Sequence, residues 1–233
     1  MSSFLDFNTD FRYYGIQHIV VILLTVALSI GLPLLAKKHF NLSQKLWVGR
    51  FMAIVISIWV VLYDLIQLFL GEFNYETDLP LDICNLMGLL LPFLMWTPSR
   101  RVFAYLYFWI MAGTTQAVFA PNLHDGFPNF IFIKYWVVHG GLIVYIMYVA
   151  LVWDFPLDRK DVWRAFLGLQ VYVLFIFFVN KAIGANYVYV VEKPSSVSVL
   201  DYFGPWPLYI LVCEAIVLVL SFMVYLPYLK RRV

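Results

Sequence analysis

Seven apolar stretches, each close to the length that crosses a bilayer, follow one another through this chain with only short links between them. They are Ile16–Ala36, Val48–Leu70, Leu79–Thr97, Val102–Ala120, Phe130–Trp153, Val162–Ile183 and Trp206–Leu226. A spanning helix needs about 20 mostly apolar residues, because no water inside the bilayer can satisfy the backbone. Across the chain 63% of residues are apolar and 13% charged, against roughly 45–50% and 25% in a soluble domain. The expected fold is therefore an all-α integral membrane protein of seven transmembrane helices, forming one domain over residues 1–233. Span three is short, and Pro80, Gly88 and Pro92 are points at which it can break. Asp6 and Asp10 in the leading segment argue against a cleavable signal peptide.

The basic residues set an orientation. Twelve of the 16 Lys and Arg residues fall in the links after spans one, three and five and in the C-terminal tail; the other four are Arg12, Lys134, Lys181 and Lys193. The positive-inside rule then expects the N-terminus outside and the C-terminus cytoplasmic, in a multi-pass plasma-membrane protein. A net charge of +2 gives no reason to expect nucleic acid as a partner.

That topology gathers the intramembrane polar residues on one side. Asp64 and Gln67 lie near the outer end of span two. Asp82, Cys84 and Asn85 open span three, Gln116 nears the outer end of span four, and Asn180 and Lys181 close span six. His139 lies about 13 Å into span five and Glu214 about 12 Å into span seven, at 1.5 Å per residue. The inner halves hold little that is polar, Gln170 being the main exception. Ionisable groups inside a membrane usually line a cavity or pathway, so one-sided clustering points to a site opening outward rather than to a through-pore. The long link between spans six and seven carries Asn186, Tyr187, Lys193 and Trp206 and is placed to cover that site as a lid.

Cys84 is the one residue there that joins nucleophilicity to polar neighbours, and His139 is the available base, since a thiolate attacks and an imidazole takes its proton. Asp64, Asp82, Asn85, Gln116, Asn180 and Glu214 are candidates for oxyanion or polar support. The bland alternatives are a Cys packed as a small hydrophobe and a His serving only as a structural hydrogen-bond partner. Cys213 takes the first of these readings. Gly140-Gly141 beside His139 admits either a neighbouring backbone or a ligand. No metal-ligand spacing is present, so neither metal nor cofactor is expected.

Six motifs occur in order: Leu-Pro-Leu-Asp-Ile-Cys-Asn-Leu (79–86), Gly-Thr-Thr-Gln-Ala (113–117), Val-Val-His-Gly (137–140), Gly-Ala-Asn-Tyr (184–187), Lys-Pro (193–194) and Gly-Pro-Trp-Pro (204–207). Together they resemble the bacterial YwaF-like integral membrane proteins, a family related to a eukaryotic transmembrane acyltransferase that remodels ether phospholipids. The resemblance implies seven helices and, from the eukaryotic relative, acyl transfer through a cysteine thioester assisted by histidine. Residue by residue these roles fall on Cys84 and His139. The bacterial branch often has His where this chain has Asp82. Phospholipid or lysophospholipid is the implied substrate. The rival reading is a transporter or binding protein for a small or lipidic ligand, without catalysis. The oligomeric state is left open.

Overall fold

The computed structural model describes residues 10–194 and 198–229. Asp6, Ser195, Ser196, Val197 and the basic tail residues Lys230, Arg231 and Arg232 lie outside the described residues. Among those described, seven apolar helices form the molecule: α1 Ile16–His39, α2 Leu42–Leu70, α3 Ile83–Leu94, α4 Arg100–Phe119, α5 Phe130–Val152, α6 Arg159–Ile183 and α7 Leu208–Leu229. Six are long and apolar enough to cross a membrane, and α3 is shorter.

Several helices begin before the apolar run does. Asn41 caps α2 through a reciprocal bond pair with Gln44, and the Asp158 and Asp161 side chains cap α6 in the same way. Capping carries helical order into the headgroup zone, where polar first turns are solvated. At the far ends Gly71 and Gly184 adopt φ values of 71° and 75°, the left-handed turn that stops a helix.

Span three departs from expectation. Only Ile83–Leu94 is helical, about 18 Å of rise, which is less than the hydrocarbon core. Leu79–Asp82 instead forms an irregular lead-in, because Pro80 disfavours helical geometry at Leu79 and Asp82 sits at the N-cap in extended conformation. Two contacts with α2 fix this segment. Tyr63 Oη donates to Asp78 at 3.4 Å, and Arg50 Nε donates to the Trp96 carbonyl at 2.9 Å with its guanidinium over the Trp96 ring. Tyr63 and Arg50 are about 20 Å apart along α2. Lead-in and helix together therefore cover most of a bilayer.

α5 is the central helix: 61% of its apolar window is buried, against 22% or less for α1, α2, α6 and α7. Its glycines are packing positions. A Cβ on Gly140 would stand 2.9 Å from Thr25 Oγ1 of α1, and one on Gly141 3.0 Å from Ile56 Cγ1 of α2. Gly140-Gly141 thus lets α1 and α2 side chains pack close against α5, and both glycines also line a groove. Between α1 and α2, above this face, an apolar groove of about 470 Å³ is lined by residues including Val21, Thr25, Ile56, Trp136 and Gly140; His139 is not part of its wall.

Candidate functional site

The first turn of α3 sets Cys84 against the middle of α4. There the chain makes a π turn over Ile110–Thr114. The extra residue re-registers the helix and aims Thr114, fully buried, at Cys84; their side chains hydrogen-bond at 3.4 Å. π turns of this kind often sit at functional sites. Thr115 Oγ1, next in sequence, is buried with no partner among the described residues. Sequence reasoning singled out neither threonine, although the 113–117 motif contains both.

His139 is half-buried on α5. Its Nδ1 lies 2.9 Å from the Tyr135 carbonyl. A carbonyl only accepts, so Nδ1 carries the proton, and Nε2 keeps its lone pair. Nε2 has no protein partner among the described residues. The Tyr135 ring stacks on the imidazole at 4.1 Å between centroids and lies within electrostatic reach of Cys84. Tyr135 is held in place by donating to the Ala117 carbonyl at 2.8 Å. Cys84 and His139 thus share Tyr135 as a neighbour, and no hydrogen bond joins them among the described residues. α3 and α5 run in parallel. A Cβ on Gly88 of α3 would lie 3.8 Å from Val138 Cγ1 of α5.

The remaining predicted residues divide. Asp64 faces Lys134, whose ammonium lies over the Tyr63 ring at 4.2 Å and also feels Asp78 and Asp82. Lys134 was legible as a charge inside span five but counted only toward topology. Asn85 is half-buried beside Cys84 with no partner among the described residues. Gln116 is exposed and donates to the Ala112 carbonyl of its own helix at 2.7 Å. Glu214 is half-buried on α7 next to Cys213, without a bond to the Cys84 group. His18 is spent: Tyr14 N–H donates to Nδ1 at 3.0 Å, and Nε2 donates to the Val118 carbonyl at 2.8 Å. Among the described residues no three His, Cys, Asp or Glu side chains converge to hold a metal ion.

The link after α6 folds back over the lead-in to Cys84. Asn180, fully buried, exchanges two hydrogen bonds with the Tyr187 backbone, at 2.9 and 3.0 Å. Asn186 closes the next turn, donating to Glu192 O and accepting from the Val191 and Glu192 amides. Two bonds tie link to lead-in, and a third comes from α6. Tyr187 Oη accepts from Leu79 N–H at 2.9 Å, Asp82 accepts from Val188 N–H at 3.2 Å, and Tyr172 of α6 donates to the Leu81 carbonyl. Burial pushes the Tyr187 phenol up to about 12, so it stays protonated and also donates to the Tyr75 carbonyl at 2.9 Å. Val188 and Tyr189 take φ values of 60° and 53°, which costs about 1–2 kcal/mol per non-glycine residue. Trp206 and Tyr209 hold this strained turn by donating to the Val190 and Tyr189 carbonyls. Lys193 lies 3.9 Å from Asp201.

Fold and site together define a polytopic α-helical membrane protein with a polar, strapped-over cluster at one end of its bundle. The chain belongs to the TMEM164 family, a family of transmembrane proteins, which matches residues 13–225. That match carries neither the YwaF-like name nor an acyltransferase. No curated protein and no solved structure matches the chain significantly.

Proposed function

We propose that this protein is a phospholipid-remodelling acyltransferase of the plasma membrane, with Cys84 as nucleophile, His139 as base and the site in the outer half of the bilayer. The observation that carries the reading is the His139 tautomer: Nδ1–H is committed to Tyr135, whose ring stacks on the imidazole and also neighbours Cys84, and Nε2 has no partner among the described residues. In this mechanism the Cys84 thiol exchanges Thr114 for Nε2 when substrate binds, a tightening that substrate-free sites commonly require.

Nε2 takes the thiol proton, and the thiolate attacks a lipid ester carbonyl. The tetrahedral adduct collapses, its C–O bond breaks, and the departing alkoxide takes the proton back from the imidazolium. An acyl-Cys84 thioester and a lysolipid result. A second lysolipid hydroxyl then gives its proton to Nε2 and attacks the thioester carbonyl. The C–S bond breaks and the Cys84 thiolate is reprotonated. Thr114, Thr115 and Asn85 are the donors near enough in sequence and fold to steady the oxyanion. The lead-in and lid keep water from the thioester.

The thiol–hydroxyl bond between Cys84 and Thr114 also suits a non-catalytic binder of a lipidic ligand. The two readings separate in vesicles holding an isotopically heavy lysophospholipid acceptor. The enzyme converts it to the diacyl form, at a rate that His139→Gln lowers; a binder leaves it unchanged with either protein.

A further inference from the structure

At the opposite end of the bundle the first turns of α4 and α6 enclose a cavity of about 420 Å³, lined by Arg100, Arg101, Ala104, Tyr105, Asp161 and Arg164. It is far from Cys84: Asp161 and Asn180 are about 28 Å apart along α6, nearly one hydrocarbon thickness. The three guanidiniums do different things. Arg100 is fully engaged, with Nη2 2.6 Å and Nη1 3.3 Å from the two Asp161 oxygens and Nε donating to the Pro156 carbonyl at 3.2 Å. Asp161 is 3% exposed and also accepts from Arg164 Nη1 at 3.3 Å and from Asp158 N–H at 2.8 Å. It therefore anchors the wall. Among the described residues Arg164 Nε and Nη2 are unengaged and Arg101 has no partner. Arg100 Nη2 also pairs with Asp158 at 3.3 Å, so three arginines face two aspartates and the cluster carries a net +1.

We infer that this cavity binds the phosphate of an anionic phospholipid headgroup. Two guanidinium forks with spare donors face a volume large enough for a headgroup, and a planar fork matches phosphate oxygens two at a time. Basic pockets between helices at a membrane face are a recurrent form of lipid recognition. Tyr105 is fixed beside the opening, since its ring abuts Gly168 so closely that a Cβ there would be 2.9 Å away. With the positive-inside orientation, the ligand is a lipid of the cytoplasmic leaflet. This inference does not rest on the acyl-transfer reading.

The test is native mass spectrometry of the full chain released from vesicles of phosphatidylcholine mixed with phosphatidylglycerol, beside Arg101→Gln and the Arg101→Gln/Arg164→Gln pair. Both arginines are surface-exposed, so neither change removes core packing. The wild type should retain one phosphatidylglycerol, with retention falling about five- to tenfold per guanidinium removed. A parallel arm adds excess inorganic phosphate in phosphatidylcholine alone and follows thermal unfolding. Arginine-dependent stabilisation there, without lipid retention, assigns the same phosphate chemistry to a soluble source. Retention unchanged in the double variant, or no response of the wild type in either arm, overturns the inference.

Discussion

His18 and His139 occupy the same half of the bundle, yet only one of them has anything left to offer. His18 is fully buried and uses both ring nitrogens on backbone groups, accepting from Tyr14 N–H just before α1 and donating to the Val118 carbonyl at the end of α4. His139 uses one nitrogen on its own helix and keeps the other free. The two cysteines divide the same way. Cys84 lies among Thr114, Tyr135 and Asp82, whereas Cys213 has Glu214 as its polar neighbour on the last helix. Residue type alone separates neither pair. What separates the histidines is how many hydrogen bonds the fold has already used up; what separates the cysteines is the polar company each keeps.

The largest effect expected from this difference is at sulfur. Cys84→Ala should reduce lipid acyl exchange to background, and Cys213→Ala should leave it unchanged, as read by lipid mass spectrometry. His139→Gln should cut the exchange rate about 10²–10⁴-fold, the usual worth of a positioned base, with little change in melting temperature. His18→Gln should do the reverse. Losing a buried bonded group costs about 1–3 kcal/mol, so melting falls by several degrees while exchange per folded molecule holds. If both histidines behaved alike, the distinction would collapse.

Packing comes next in size. Gly140→Ala forces a methyl toward Thr25 and Gly141→Ala one toward Ile56. Each should lower stability by about 1–3 kcal/mol, measured by thermal unfolding in detergent. Tyr187→Phe removes the hydroxyl that bridges Leu79 and Tyr75. It should loosen the strap by about 1 kcal/mol, seen as faster hydrogen exchange over residues 186–192. The smallest change is expected for Thr114→Val, a few-fold shift in exchange rate with the fold intact.

The spans were legible in the sequence because membrane length and apolarity are one-dimensional signals. The length of the link after Ile183 was legible as well, and Tyr187 and Val188 in it bond to the lead-in to Cys84. The short extent of α3 was only half visible: Pro80 marked the break, but the irregular lead-in depends on bonds from Tyr172 and Val188. Tyr135, Thr114 and Lys134 escaped because their importance comes from which helices touch. Tyr135 is one aromatic among many until α3 is set beside α5. Asn180 and Gln116 were legible as polar residues in apolar spans, but not their partners, the Tyr187 backbone and the Ala112 carbonyl.

The most direct test of a free nucleophile–base pair is the intact mass of the purified protein after incubation with a defined phospholipid, beside Cys84→Ala. The account expects a hydroxylamine-labile gain of one acyl chain, absent from the variant and slower to form in His139→Gln. No adduct with any common phospholipid, with lipid binding equal in protein and variant, would contradict it and leave Cys84 as packing.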